Sequence, residues 1–117
     1  MKIYVAFRYS LPSDVINILA NIGKAIEAGV EIAKKGHIPY IPHCDCLIAM
    51  WSKGMLPKNF YYEMGMTWLK CCDALFLLDK ADLLLPNSGV KREYDWAVGN
   101  GLRIFYNLDE IPVEVKE

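Results

Sequence analysis

The chain lacks the features that would direct it to a membrane or to a nucleic acid. No apolar run approaches the roughly 20 residues that a membrane-spanning helix needs. Its Lys and Arg residues are scattered and its formal net charge is −1, so no electrostatic attraction to nucleic acid or anionic lipid is expected. The opening MKIYVAF is too short and too strand-like for a secretory signal. We therefore expect a cytoplasmic protein without a membrane or a nucleic-acid polymer among its partners.

The cysteines and histidines lack the spacing of a metal or redox site. The four cysteines are Cys44, Cys46, Cys71 and Cys72, and neither spacing is that of a zinc knuckle or of a CxxC pair. Two histidines in the chain are too few for a confident metal site. We expect reduced thiols, as in most cytoplasmic proteins, and neither a metal nor another cofactor.

The length and composition are those of one globular domain. The chain has 117 residues, of which 54% are hydrophobic and 23% are charged, a balance typical of a single domain with its own core. It contains no internal repeat, linker or low-complexity tract. The sequence therefore predicts one domain over residues 1–117.

Short apolar runs alternate with helical patterns along the chain. Strands are predicted at 2–7, 37–41, 73–78 and 102–106, and helices at 14–35, from 57 to about 71, and after the loop at 86–89. Residues 44–56 fit either a short helix or a lid over a site. This alternation predicts an α/β fold, a three-layer sandwich with a central, mainly parallel sheet of Rossmann or flavodoxin type.

The first predicted helix carries an apolar stripe at helical spacing. A stripe of this kind is typical of a helix that packs on a sheet. Its members are Val15, Ile18, Leu19, Ile22, Ile26, Val30 and Ala33.

Polar residues follow the predicted strands and should meet at one edge of the sheet. Right-handed crossovers place the loop after each parallel strand along the same edge, where ligands bind in such folds. Residues 8–10 follow the first strand, His43 follows the second, and Asp79 and residues 87–93 follow the third. His43 is either a ligand contact or a loop histidine that hydrogen-bonds the backbone.

Residues 83–97, LLLPNSGVKREYDWA, form a loop that turns into a helix. Asn87 or Ser88 can cap this helix, and Gly89 permits a ligand to approach the backbone closely. The first helical N–H groups then suit a phosphate or another anion.

Glu93 lies one turn into this helix, on the face of Val90, Tyr94 and Ala97. This apolar face should look toward the sheet, where a carboxylate is unusual because its burial is costly unless it is paired. Two interpretations stay open. The carboxylate is held in a pocket for chemistry, or it is an ordinary first-turn glutamate that favours the positive helix end and points to water.

Four segments together resemble one known family. KIYVAFRYS, GHIPYIPH, WLKCCDALFLL and NSGVKREYDWAVGNGLRIFY are similar, in order and spacing, to segments of the nucleoside 2-deoxyribosyltransferase-like proteins. The similarity covers nearly the whole chain, from Lys2 to Pro112. The nearest relatives are expected among the small members of that superfamily, alongside the deoxynucleoside monophosphate N-glycosidases.

The resemblance implies cleavage or exchange of an N-glycosidic bond. In that family, a glutamate at the position of Glu93 attacks the anomeric carbon of a deoxyribose and forms a covalent glycosyl-enzyme, which water or a second base resolves. The implied partner is a small-molecule nucleoside or nucleotide, with no cofactor. The residues implied in substrate binding are Tyr4, Phe7, Arg8, Tyr9, Ser10, His43, Asn87, Ser88 and Gly89.

The sequence also departs from the family pattern. Phe7 stands where the family usually has glycine, and Asn87 stands where it has a serine, with Ser88 next to it. Gly65 replaces an aspartate that helps to protonate the leaving base. General-acid catalysis contributes about 10²–10⁴-fold, so another group would have to supply it. Glu63 is poorly placed for this role, and Asp45 is a conceivable donor.

Two further readings therefore stay open beside the N-glycosidase. The chain could be a non-catalytic nucleotide-binding module that kept the pocket and lost the general acid. It could also be a phosphoribohydrolase of the related loop-helix type, although a loop with one glycine disfavours this. Three Trp and seven Tyr in 117 residues additionally favour a homo-oligomer, because such residues are common at interfaces.

Overall fold

A four-stranded parallel sheet forms the centre of the molecule. The computed structural model describes residues 1–10, 13–85 and 88–114. Its strands are β1 (Lys2–Ala6), β2 (Ile38–Tyr40), β3 (Ala74–Leu77) and β4 (Arg103–Phe105). They lie in the order β2-β1-β3-β4, and every pairing is parallel. The predicted α/β sandwich with a central parallel sheet is confirmed.

Four helices connect these strands. They are α1 (Val15–Lys34), α2 (Cys46–Trp51), α3 (Lys58–Leu69) and α4 (Gly89–Gly99). Of the two readings of residues 44–56, the structure has the short helix. Pro57 is the N-cap of α3 rather than its first helical residue. Three 3-10 turns, Pro42–Asp45, Lys80–Leu84 and Leu108–Glu110, follow β2, β3 and β4.

The strands divide the core between the two faces of the sheet. Successive side chains of a strand point to opposite faces, so Ile3 and Val5 pack toward α1 while Tyr4 and Ala6 pack toward α3 and α4. All four are at most 2% exposed. Burial on both faces explains why β1 is an almost unbroken apolar run.

The apolar stripe of α1 is not the face that α1 buries. Val15, Leu19, Ile26 and Val30 are between 38% and 69% exposed. The helix packs with small residues instead, and its buried members are Asn21, Ala25, Ala28, Gly29 and Ile32. A side chain on Gly29 would collide with Ile41, so the small face lets the helix lie close to the sheet and leaves the stripe outside.

Strand β1 lies at the point where the chain reverses direction across the sheet. The first crossover leads from β1 to β2 on one side, and the later strands β3 and β4 lie on the other. The crevice beside the carboxyl ends of the strands at such a switch point is where ligands bind in open α/β sheets. Among the described helices, none combines the length and the apolar character needed to cross a bilayer.

Candidate functional site

A cavity of about 530 Å³ opens at the carboxyl ends of the strands. The end of β1, the turn after β2, helices α2 and α3 and the start of α4 form its walls. Nine residues implied in catalysis or binding line it, and the tenth, Asn87, lies outside the described residues. The nine are Tyr4, Phe7, Arg8, Tyr9, Ser10, His43, Ser88, Gly89 and Glu93.

A second, larger groove of about 660 Å³ lies on the α1 face. Its walls include Lys24, Glu27 and Asp79 but not Glu93 or His43. It is the more open of the two. We place the candidate site in the smaller cavity, because a partly enclosed site with convergent polar groups is the usual form of a ligand pocket.

The start of α4 forms one wall of the cavity. Ser88 is its N-cap, with its hydroxyl oxygen accepting from the Lys91 backbone N–H at 3.1 Å and its O–H donating to the Asp82 carbonyl at 3.1 Å. A Cβ on Gly89 would lie 3.3 Å from the Tyr62 ring, so the helix start fits closely against α3. The first N–H groups of α4, for which a helix provides no intrahelical acceptors, therefore lie beside the cavity.

Glu93 lies on the inner face of α4, between the buried residues Val90 and Ala97. Its carboxylate lines the cavity, and none of the ion pairs among the described residues includes it. Burial raises the pKa of Glu93 to about 7, against the opposing effects of a hydrogen bond from Tyr4 and the charge of Arg92. The inward orientation is the one that the fold adopts. The result is a poorly hydrated carboxylate that faces an open space.

Tyr4 brings a hydroxyl from the middle of the sheet to this carboxylate. It lies on the central strand and is 2% exposed. Burial, and then the charge of Glu93, raise the pKa of Tyr4 well above its usual value. Tyr4 therefore stays a neutral donor that fixes the position of the Glu93 side chain.

Gly65 packs against this hydroxyl. A Cβ at position 65 would lie 3.0 Å from Tyr4 Oη, closer than carbon and oxygen atoms normally approach. No larger residue therefore fits at position 65 unless the Tyr4 hydroxyl moves.

His43 is buried at the cavity wall. Its Nε2 lies 2.9 Å from the Phe7 carbonyl oxygen and 3.1 Å from that of Arg8, so Nε2 carries the proton and donates. Nδ1 has no hydrogen-bond partner among the described residues. Burial lowers the pKa of His43 and keeps the ring neutral. The backbone-bonded interpretation holds for Nε2, and a ligand contact of His43 stays a prediction.

The Arg8 side chain is bound by carboxylates of the protein. Its guanidinium forms ion pairs with Asp79 and with Asp82, the latter at 3.0 Å. The Arg8 backbone N–H also donates to Asp82 at 2.9 Å. Although Arg8 lines the cavity, its charge is balanced by these two carboxylates. Asp82, which is fully buried, was not singled out by sequence reasoning, since its position gives no signal without the partner.

Several cavity residues escaped the sequence analysis. Lys58, Tyr61 and Tyr62 come from α3, and Arg92 comes from α4. The Arg92 guanidinium lies 5.1 Å from the centre of the Tyr62 ring. Of these residues, only Arg92 could have been predicted from the sequence, because it is adjacent to Glu93. Lys58, Tyr61 and Tyr62 line the cavity because α3 packs over the carboxyl ends of the strands, and the sequence gives no sign of that packing.

The candidate site does not resemble a metal centre. No group of three or more His, Cys, Asp or Glu side chains in the described part of the chain is arranged to hold a metal ion. A scan against protein-family models gives no match, and a search among curated proteins gives no significant match. The motif resemblance therefore stays a prediction, and the site is interpreted from its own geometry.

Proposed function

We propose that this chain cleaves or transfers the N-glycosidic bond of a (deoxy)nucleoside or nucleotide through a glycosyl-enzyme intermediate on Glu93. The observation that carries the proposal is the poorly hydrated Glu93 carboxylate in the cavity at the carboxyl edge of the sheet. The motif resemblance to the nucleoside 2-deoxyribosyltransferase-like proteins supports the same assignment.

The burial of the Glu93 carboxylate favours the proposed reaction. Departure of the base leaves a positively charged, oxocarbenium-like anomeric carbon. A carboxylate that lacks water gains more from such a charge than a hydrated one does. One Glu93 oxygen bonds to the carbon as the C–N bond breaks and its electron pair leaves with the base. Water or an acceptor base then attacks the same carbon and releases Glu93.

The charges around the cavity favour a substrate with an anionic end. Lys58 and Arg92 both line the cavity, and the N-terminus of α4 adds unpaired N–H groups and a positive dipole end. Ser88 and Gly89 lie at this helix end. We place a 5′-phosphate there, which would position the sugar over Glu93.

Release of free base from deoxynucleosides and deoxynucleotides tests the proposal. We expect purified protein to release base, and Glu93→Gln to reduce the rate by at least about 10²-fold. Asp95→Asn is the matched control, because Asp95 lies on the exposed face of the same helix and pairs with Lys91. Mass spectrometry of the intact protein should detect the deoxyribosyl adduct. No release from any substrate, with Glu93→Gln indistinguishable from wild type, would contradict the proposal.

A second candidate function is a nucleotide-binding module without catalysis. The observation that favours it is Gly65, which leaves the usual acid position empty of a side chain. Thermal unfolding with a panel of nucleotides separates the two functions. A binder is stabilised without turnover, whereas an enzyme turns over a nucleotide that stabilises it.

We also propose that the chain self-associates and works in the cytoplasm. The exposed stripe of α1 is apolar and long, and contiguous exposed apolar surface is typical of interfaces. Light scattering at micromolar concentration should give more than the monomer mass, and Leu19→Glu should reduce it. A monomer in the wild type would contradict self-association.

The four cysteines are free, which suits a reducing compartment such as the cytoplasm.

A further inference from the structure

A second carboxylate, that of Asp45, faces the cavity that contains Glu93. Asp45 ends the 3-10 turn after β2 and lines the same cavity as Glu93. The Tyr40 hydroxyl donates a hydrogen bond to Asp45 Oδ2 at 3.1 Å, which holds the carboxylate at the wall. Two carboxyl groups around one sugar can divide the chemistry, since one bonds to carbon while the other carries a proton.

The two carboxylates come from opposite sides of β1. Asp45 follows β2, Glu93 belongs to the helix after β3, and β1 lies between those two strands. Two strand spacings amount to about 10 Å, which leaves room for a sugar and part of a base between the segments. A nucleotide with its phosphate at the start of α4 and its anomeric carbon at Glu93 would therefore extend its base toward Asp45.

Position 65 cannot supply the proton that a leaving base needs. Gly65 has no side chain, and a Cβ there would lie 3.0 Å from Tyr4 Oη. The donor must therefore come from another wall of the cavity.

We propose that Asp45 protonates the leaving base, an assignment that rests on the proposed function. The Asp45 carboxyl group gives its proton to a ring nitrogen of the base as the C–N bond breaks, the bonding electrons go to the base, and a Glu93 oxygen bonds to the anomeric carbon. A water molecule then attacks that carbon, passes a proton to the Asp45 carboxylate, and frees Glu93. Each turnover consumes one water and restores both carboxyl groups.

Other polar groups on the wall suit this role less well. His43 uses its one ring proton in hydrogen bonds to two carbonyl oxygens, and Nδ1 has none to give. The tyrosines and the lysine of the wall carry intrinsically weaker acids than a carboxyl group.

The reactive form holds one proton on the two carboxyl groups. Burial raises the pKa of Asp45, against the hydrogen bond from Tyr40, and burial raises the pKa of Glu93 to about 7. Of the two singly protonated forms, the one that reacts has the proton on Asp45 and an ionised Glu93. Tyr40 and Cys44 lie beside Asp45. The other titratable or charged groups that line the cavity are Tyr4, Arg8, Tyr9, His43, Cys46, Lys58, Tyr61, Tyr62 and Arg92.

Two substrates that differ only in the leaving group test the role of Asp45. They are 2′-deoxyguanosine 5′-monophosphate and its N7-methyl derivative, whose base already carries the positive charge that protonation would supply. Asp45→Asn should lose about 10²–10⁴-fold in base release from the unmodified nucleotide. It should stay within about threefold of wild type on the methylated one. For a pyrimidine-specific protein, 2′-deoxyuridine 5′-monophosphate and its 5-nitro derivative serve the same purpose.

The wild-type pH profile provides a readout that needs no variant. On the unmodified nucleotide, kcat/KM should fall as the pH rises above about 7, because the pair loses its last proton. On the methylated nucleotide it should rise through the same range as Glu93 ionises. Glu63→Gln, an exposed change on α3 outside the cavity, should match wild type on both substrates.

The outcomes separate this assignment from the proposed function. Equal losses for Asp45→Asn on both substrates, no loss on either, or identical wild-type pH profiles would overturn the role of Asp45 and leave the N-glycosidase intact. If wild-type protein releases no base from any of these nucleotides, the proposed function fails, and the role of Asp45 with it.

Discussion

At the scale of single residues, the site depends on one glutamate kept in an unfavourable place. Glu93 lies between the buried residues Val90 and Ala97 of α4 and accepts a hydrogen bond from the Tyr4 hydroxyl. Burial raises its pKa above the ordinary value, which means that the ionised form is destabilised relative to the unfolded chain. A residue that costs stability and contacts a cavity is typical of a functional site.

Because ionised Glu93 destabilises the folded state, replacing it with glutamine should change the stability in a pH-dependent way. Burial raises the pKa of Glu93 to about 7 from its ordinary value of 4.5, so the folded state binds more protons between these values. The contribution of protonated Glu93 to the free energy of unfolding of the wild type is complete below pH 4.5. It is lost as the pH rises through 7. Glu93→Gln should therefore gain up to about 3 kcal/mol over wild type between acid and pH 8.

Urea unfolding of both proteins across this pH range measures that difference. Glu63→Gln, which replaces an exposed glutamate of α3, should follow wild type throughout. A constant difference between Glu93→Gln and wild type would show that the Glu93 carboxylate is hydrated.

At the scale of elements, the start of α4 both stabilises the fold and builds the cavity. The Ser88 side chain caps the helix and also bonds the Asp82 carbonyl, so it joins α4 to the turn after β3. Loss of an N-cap costs about 1 kcal/mol. The N-cap of α1, Asp14, bonds the Asn17 backbone N–H at 3.0 Å but lies away from the cavity.

Ser88→Ala and Asp14→Ala should therefore separate stability from binding. Both variants should be less stable in urea unfolding, Ser88→Ala by about 1 kcal/mol. Only Ser88→Ala should also weaken nucleotide binding, because Ser88 lines the cavity and Asp14 does not. Isothermal titration with a 5′-monophosphate measures the second effect. Equal binding by the two variants would exclude the start of α4 as part of the binding site.

At the scale of the whole molecule, a partly buried cluster of one arginine and two aspartates joins the loops after β1 and β3. Arg8 follows β1, while Asp79 and Asp82 follow β3. Asp82 is fully buried, so its charge depends on Arg8 for compensation. The pair holds the loops of two neighbouring strands together at the edge where the cavity opens.

Arg8→Met should be strongly destabilising. It leaves Asp82 buried without its cation, which typically costs about 3–5 kcal/mol. Lys91→Met is the matched control, since the exposed pair of Lys91 with Asp95 is worth only about 0.3–0.5 kcal/mol. Denaturant unfolding measures both. Similar small losses for the two variants would show that Asp82 is solvated or protonated in the folded state.

The amino-acid sequence alone determined the order of the four strands and of the helices α1, α3 and α4, and it left residues 44–56 open. Apolar runs such as 73–78 are long enough and apolar enough to specify buried strands, and Ser88 specifies a helix start through its hydroxyl group. Parallel strands then force the loops after them to one edge. The convergence of residues 8–10, His43 and the start of α4 follows from that rule, and so does the placement of the cavity.

Only the tertiary structure decided which faces are buried and which charges are paired. The stripe of α1 lies outside because the small face around Gly29 packs more closely on the sheet, and helical periodicity cannot distinguish two such faces. The ion pair of Arg8 with Asp82 and the cavity shared by Asp45 and Glu93 bring together residues that are far apart in sequence. Such contacts depend on how elements pack, and no local pattern records them.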